Sequence, residues 1–140
     1  MNIKPNVYLS GAISSYIESG DVQKACAWRA QAYIQLTKYG FQTFNPMHID
    51  EQAWSLSNSG VLEMNRYYLM HCELMLVNLS DIETSIGSIW EMSVACENKI
   101  PIYAFGDCVY DDRAHLNAMI TYRGTDLQDC LKRILLFYSA

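Results

Sequence analysis

Hydrophobic positions along this chain fall into short dense runs separated by longer stretches of helical period. "NVYLSG" (6–11), "FQTFNP" (41–46), "LMLVNL" (74–79) and "PIYAFG" (101–106) are apolar, rich in β-branched and aromatic residues, and closed by glycine, proline or a polar turn, so each reads as a strand. Between the first two, "VQKACAWRAQAYIQLTKYG" spaces its apolar residues as an amphipathic helix, with Asp21 as N-cap and Gly40 as stop signal. A second helix is expected from about Val61 to Cys72, a third through Glu91, and "DLQDCLKRILLFY" closes the chain as a fourth. The loop from Ala12 to about Gly20 is polar, and "MHIDEQAWSLSNSG" is the least regular stretch. Strands alternating with helices, with strands apolar on both faces, predict one α/β domain over 1–140. Its core is a doubly wound parallel sheet of about five strands, flavodoxin- or Rossmann-like. Such sheets bind ligands beyond the carboxyl ends of their strands, here the loops after Ser10, Asn45, Leu79 and Phe105.

Composition narrows the function classes. Of 140 residues, 51% are hydrophobic and 18% charged, which describes a packed globular protein and excludes a disordered one. The net charge of −5, with no Lys/Arg cluster, argues against a nucleic-acid backbone binder. No apolar run is long enough for a membrane span or a secretory signal core, so a cytoplasmic protein is expected. The cysteines at 26, 72, 96, 108 and 130 form no C-x-x-C pair. With His48, His71 and His115 they show no metal-ligand spacing, and buried free thiols are expected. Trp28, Trp54 and Trp90 read as core or interface aromatics in preference to base-stacking platforms.

The chemistry concentrates in "TSIGSIWEMSVA" (84–95), where Glu91 stands at the start of an apolar helix behind Gly87 and Ser88. Ser88-Ile89-Trp90-Glu91 has the spacing of a capping box, in which the serine and glutamate satisfy each other's backbone N–H groups. The same position also suits a catalytic carboxylate exposed at a strand-to-helix turn. Spacing alone leaves both readings open and favours the cap.

Several blocks, in order, resemble the nucleoside 2-deoxyribosyltransferases and their relatives, the nucleoside 5′-monophosphate N-glycosidases. They are "VYLSGAI", "NRYYLMHCELMLVNL", "SIGSIWEMSVACENKIPIYAF" and "HLNAMI". The resemblance implies that Glu91 attacks the anomeric carbon and carries a covalent glycosyl intermediate. That chemistry needs an ionised carboxylate close beneath the sugar, and a helix N-terminus favours ionisation. It further implies that the Tyr8 hydroxyl orients the nucleophile and that Asp50 contacts the nucleobase. Gly11, Ser85, Gly87 and Ser88 line the substrate site, and Asn117 binds the sugar 5′-hydroxyl across a subunit interface. No cofactor is implied; the expected partners are a small-molecule nucleoside or nucleotide and further copies of the chain in a homodimer or larger homo-oligomer.

The chain departs from the family pattern at two places. Asn65 stands where the transferases carry an acid, and an amide cannot donate a proton as a carboxylic acid does, so Glu63 or another group would have to serve. The first loop, "GAISSYIESG", offers Ser14 and Ser15 where the nucleotide hydrolases place a phosphate-binding arginine. The missing arginine, with the net charge of −5, and Asn117, which matches the transferase version of the C-terminal segment, favour a free 2′-deoxynucleoside over its monophosphate; Ser85 and Asn65 stand against it.

Overall fold

The computed structural model describes residues 3–48 and 58–139. Five parallel strands form one sheet in the order β2-β1-β3-β4-β5: β1 (Asn6–Gly11), β2 (Gln42–Phe44), β3 (Leu74–Asn78), β4 (Ile102–Phe105) and β5 (Tyr122–Arg123). The helices are α1 (Ser14–Glu18), α2 (Val22–Lys38), α3 (Asn58–Met70), α4 (Ile86–Glu97), α5 (Ala114–Met119) and α6 (Leu127–Phe137). The α/β class and the parallel sheet expected from the hydrophobic pattern are both present. The four strand segments read from the sequence are β1 to β4. β5 is two residues long, too short to make an apolar run of its own, and pairs with the end of β4 through Tyr103 and Tyr122.

Two apolar layers sandwich the sheet. Val7, Leu9, Leu74, Leu76, Tyr103 and Phe105 face α2 and α6. Tyr8, Met75, Val77, Ile102 and Ala104 face the other way, toward Leu69 of α3, Met92 and Ala95 of α4, and Leu116 of α5. Because consecutive strand residues point to opposite faces, burial on both sides turns β3 and β4 into unbroken apolar sequence. Among the described residues no helix is long and apolar enough to cross a membrane. All five cysteines are free, but only Cys72 and Cys130 are buried; Cys96 on the outer face of α4 is exposed, against the expectation of buried thiols.

Local signals set the helix ends. α2 turns Ala25, Trp28, Ala32 and Leu36 inward. It stops where Gly40 takes φ +89°, the Phe41 N–H bonds to the Leu36 carbonyl, and the Gly40 N–H bonds to the Thr37 carbonyl. That is the Schellman arrangement glycine favours. Asp21 does occupy the N-cap, but its side chain makes no capping bond and lies 4.0 Å from Lys24 Nζ instead.

The strand order reverses between β1 and β3, whose C-terminal ends meet at the Gly11–Asn78 pair. A parallel sheet opens its ligand crevice at such a reversal, because the connections leave in opposite directions there. The neighbouring end of β4 is sealed by Gly106, at φ +96°, where an added Cβ would lie 2.5 Å from Asn78 Oδ1 and 2.7 Å from Ser80 Oγ. Gly20 also has a positive φ, +79°, but its Cβ would meet nothing within 4 Å. Gly20→Ala is therefore expected to lose about 1–2 kcal/mol, the conformational cost alone. Gly106→Ala should lose clearly more, and urea unfolding of the two variants checks the order.

Candidate active site

The alternation of β1 and the inward stripe of α4 meet at this reversal. Tyr8 and Ser10 leave β1 on the same face, toward α4. α4 buries Ser88, Glu91, Met92 and Ala95, a helical stripe that carries Glu91 against the end of β1. There the Tyr8 hydroxyl donates to Glu91 Oε2 and the Ser10 hydroxyl donates to Oε1 at 2.8 Å. Glu91 is only 6% exposed. Tyr8, fully buried and stacked on Phe44, supports the carboxylate from behind.

The start of α4 differs from the capping-box reading. The N-cap is Ser85, whose Oγ accepts from the Ser88 N–H at 3.3 Å and shares a 2.7 Å hydrogen bond with the Ser88 hydroxyl. The helix thus begins three residues earlier than Ser88 would place it, with Gly87 inside its first turn. Glu91 has no cap to reach back to; both its oxygens bond to β1.

In front of the carboxylate lies a cleft of about 250 Å³. Gly11, Ser85, Gly87, Ser88, Asn65 and Glu91, all read from the sequence as site residues, line it together. Ser14 of the first loop lines it as well, whereas Ser15 instead shares a 2.8 Å hydrogen bond with the Thr84 hydroxyl. The Asn65 Oδ1 atom is buried there without a hydrogen-bond partner. Glu63, the alternative acid, is exposed outside the cleft and pairs with Arg66 at 3.1 Å. Trp28 is a core aromatic as expected, but Trp90 forms part of the cleft wall, with the Arg66 guanidinium 5.3 Å from its ring centroid. Asn117 sits exposed on α5, donates to the Asp111 carbonyl at 2.8 Å, and does not line this chain's cleft. Asp50 and Trp54 lie outside the described residues.

Two residues that act directly on Glu91 are absent from the sequence reading. Ser10 was legible as the strand partner of Tyr8, two positions on and therefore on the same face. Arg29 was legible as a charge on the inward stripe of α2, between Trp28 and Ala32. It is buried, donates from Nη2 to the Gly11 carbonyl at 3.2 Å, and lines the cleft. Gly11 has no room for a side chain: a Cβ would come within 3.2 Å of the Trp28 ring and 3.3 Å of the Asn78 carbonyl.

The electrostatics follow from burial. Desolvation pushes the Glu91 carboxyl above the ordinary carboxylate range, while the Tyr8 and Ser10 hydrogen bonds and the Arg29 charge pull it back down. Burial, with Glu91 alongside, drives the Tyr8 phenol far upward, so it remains a proton-bearing donor. Burial lowers the Arg29 guanidinium to about 10, still cationic at neutral pH. Among the described residues, Glu91 is the only carboxylic acid lining the cleft, and no cluster of His, Cys, Asp and Glu suits a metal ion. A buried carboxylate with two fixed donors behind it and a cleft in front is equipped for nucleophilic attack.

No family model matches the chain, and no curated protein is detectably similar to it in sequence. Solved structures are similar in fold. A 2-deoxyribosyltransferase from the psychrotolerant bacterium Bacillus psychrosaccharolyticus superposes with a TM-score of 0.66 at 14% identity, covering 89% of this chain and 88% of its own. A CMP N-glycosidase from Clostridium botulinum gives 0.61 at 14% identity, covering 94% and 98%. A conserved protein from Enterococcus faecalis V583 gives 0.60 at 14% identity, covering 94% and 88%. The chain has the α/β fold of these proteins over nearly its whole length.

Proposed function

We propose that this chain is a member of the nucleoside 2-deoxyribosyltransferase family and cleaves the N-glycosidic bond of 2′-deoxynucleosides through a covalent intermediate on Glu91. The observation that carries the reading is the Glu91 carboxylate itself, buried at the β1–β3 reversal with one oxygen held by Tyr8, the other by Ser10, and a cleft in front. In the first step a Glu91 oxygen attacks C1′, the C1′–N bond breaks, and its electron pair leaves with the base. The departed base takes up a proton from water; in the second step a ring nitrogen of another base attacks C1′, its proton passes to solvent, and Glu91 leaves as the carboxylate. Asn65 lines the cleft as a neutral amide, able to accept a hydrogen bond through Oδ1 but not to act as an acid. The fold shared with a 2-deoxyribosyltransferase and a CMP N-glycosidase supports the same class of chemistry.

Hydrolysis of a deoxynucleoside monophosphate is the second reading. The Ser14 hydroxyl and the Ser85–Ser88 hydroxyl pair, which keeps one proton to give, lie at the cleft beside the N-terminus of α4 and favour it as donors to a phosphate. Incubation with deoxynucleosides and with their monophosphates, each with and without a second free base, separates the two. The proposal expects an exchanged nucleoside from the free substrates. Base release from monophosphates alone, with no exchange, would select the hydrolase. Glu91→Ala should abolish either reaction. As pH falls through the Glu91 pKa, the rate should fall with it, because only the ionised carboxyl attacks; a rate indifferent to acid would contradict the assignment.

The working unit proposed is at least a dimer. In this chain Asn117 donates to the Asp111 carbonyl and does not line its own cleft, and an apolar groove between α4 and α5 is lined by Ile89, Leu116 and Met119. A second copy docked here would place Asn117 at the interface, where the resemblance implies that it completes a partner's site. Light scattering at micromolar concentration should report a dimer or larger. An active monomer would refute the shared site.

A further inference from the structure

Arg29 is the largest fully buried side chain among the described residues, at 1% exposure, and no carboxylate of those residues lies within ion-pairing distance of it. Nη1 donates to the Ala25 carbonyl and Nη2 to the Gly11 carbonyl, each at 3.2 Å, and the guanidinium lies 4.8 Å from the Trp28 ring centroid. The Nε atom is buried without a partner. A guanidinium sealed in this way is costly unless an opposite charge answers it. Glu91 is buried and lines the same cleft, and its charge acts on Arg29 through space, beyond ion-pairing distance.

We infer that Arg29 is a positioning residue for the nucleophile: its sealed charge holds Glu91 as a carboxylate, and its grip on the Gly11 carbonyl fixes the strand end that carries Tyr8 and Ser10. The inference rests on the reading of Glu91 as nucleophile. The alternative use of such an arginine, clamping a substrate phosphate, needs an accessible donor edge. Arg29 offers almost none to the cleft it lines, since it is 1% exposed and each Nη already donates to a backbone carbonyl. The missing cation of the first loop is therefore supplied from α2, but to the enzyme's own carboxylate and not to the ligand.

Other charges are poorly placed for this task. Tyr8 on β1 and Arg29 on α2 are the titratable groups that act on Glu91, and Cys72 lies behind Tyr8. On α3, Arg66 is committed to Glu63 and the Trp90 ring. Asp81, preceding α4, takes the Tyr16 hydroxyl; Glu83 there and His115 on α5 are exposed. Arg29 raises the ionised fraction of Glu91 in the same sense as the two hydroxyls, and Glu91 in turn helps keep Arg29 protonated.

Arg29→Gln removes the charge, while Arg29→Lys keeps it and loses the two-pronged grip. The Glu91 carboxyl is followed by carbon-13 NMR against pH, its signal assigned by its absence in Glu91→Gln. In Arg29→Gln its midpoint should rise by on the order of one pH unit, and the acid limb of kcat/KM should move with it. In Arg29→Lys both should stay close to the parent while kcat falls. An unmoved Glu91 midpoint in Arg29→Gln overturns the inference, as does a selective rise in KM for monophosphates without that shift. Should Arg29→Gln not fold, the Arg29→Gln/Glu91→Gln double variant must melt above it, because each removed charge relieves the other; a double variant that is no more stable also overturns the inference. The NMR and melting readouts need no turnover. A titration shift in a protein that exchanges no base would retain the charge coupling and discard the nucleophile.

Discussion

A carboxylate sealed against the end of a central strand sets the terms for the rest of this molecule. Burying an ionised carboxyl costs several kcal/mol unless hydrogen bonds and charge compensate. The fold supplies both from separate elements. β1 contributes Tyr8 and Ser10, α2 contributes Arg29, and α4 brings Glu91 to them on its inward stripe. None of these contacts is local in sequence, so the site exists only when β1, α2 and α4 have packed on one sheet.

That dependence explains the placement of the site. β1 is the strand whose neighbours diverge, with β2 on one side and β3 on the other, and its end is therefore uncovered by connecting chain. Gly11 completes the geometry by offering a carbonyl to Arg29 at a point where a side chain would strike Trp28 and Asn78. The cleft above is mixed in character. Val61, Leu62 and Trp90 form apolar walls, while Ser14, Thr84, Ser85 and Asn65 supply neutral hydrogen-bonding groups. Such a surface suits a nucleoside, whose base is flat and apolar on its faces and polar at its edges.

Much of the architecture was legible in the sequence because it is written in burial. β3 and β4 are covered on both faces and read as solid apolar runs; α2 ends where Gly40 ends it. β5 was not legible because two residues carry no period. The cap of α4 was misplaced because Ser85 and Ser88 both have the chemistry of a cap, and only packing decides which one lies outside the helix. In the site, Glu91 and Tyr8 came from resemblance, not from spacing. Arg29 was hidden by distance along the chain, since a charge on a buried stripe acquires meaning only when its partner, 62 positions further on (91 − 29), is known to lie nearby. Asn65 shows the converse: the sequence flagged a missing acid, and the structure places the amide in the cleft with its oxygen uncommitted.

The account stands on a covalent bond between Glu91 and a sugar. A 2-deoxy-2-fluoro-arabinosyl nucleoside slows both steps, because fluorine destabilises their positively charged transition states, and with no second base supplied the intermediate has only water to react with and accumulates. Mass spectrometry of the protein after incubation with it tests the claim most directly. The account predicts one added fluoro-sugar per chain, mapped by peptide sequencing to Glu91 and absent from Glu91→Gln. Consumption of deoxynucleoside by a protein that never carries the adduct, or an adduct on a different residue, would contradict it.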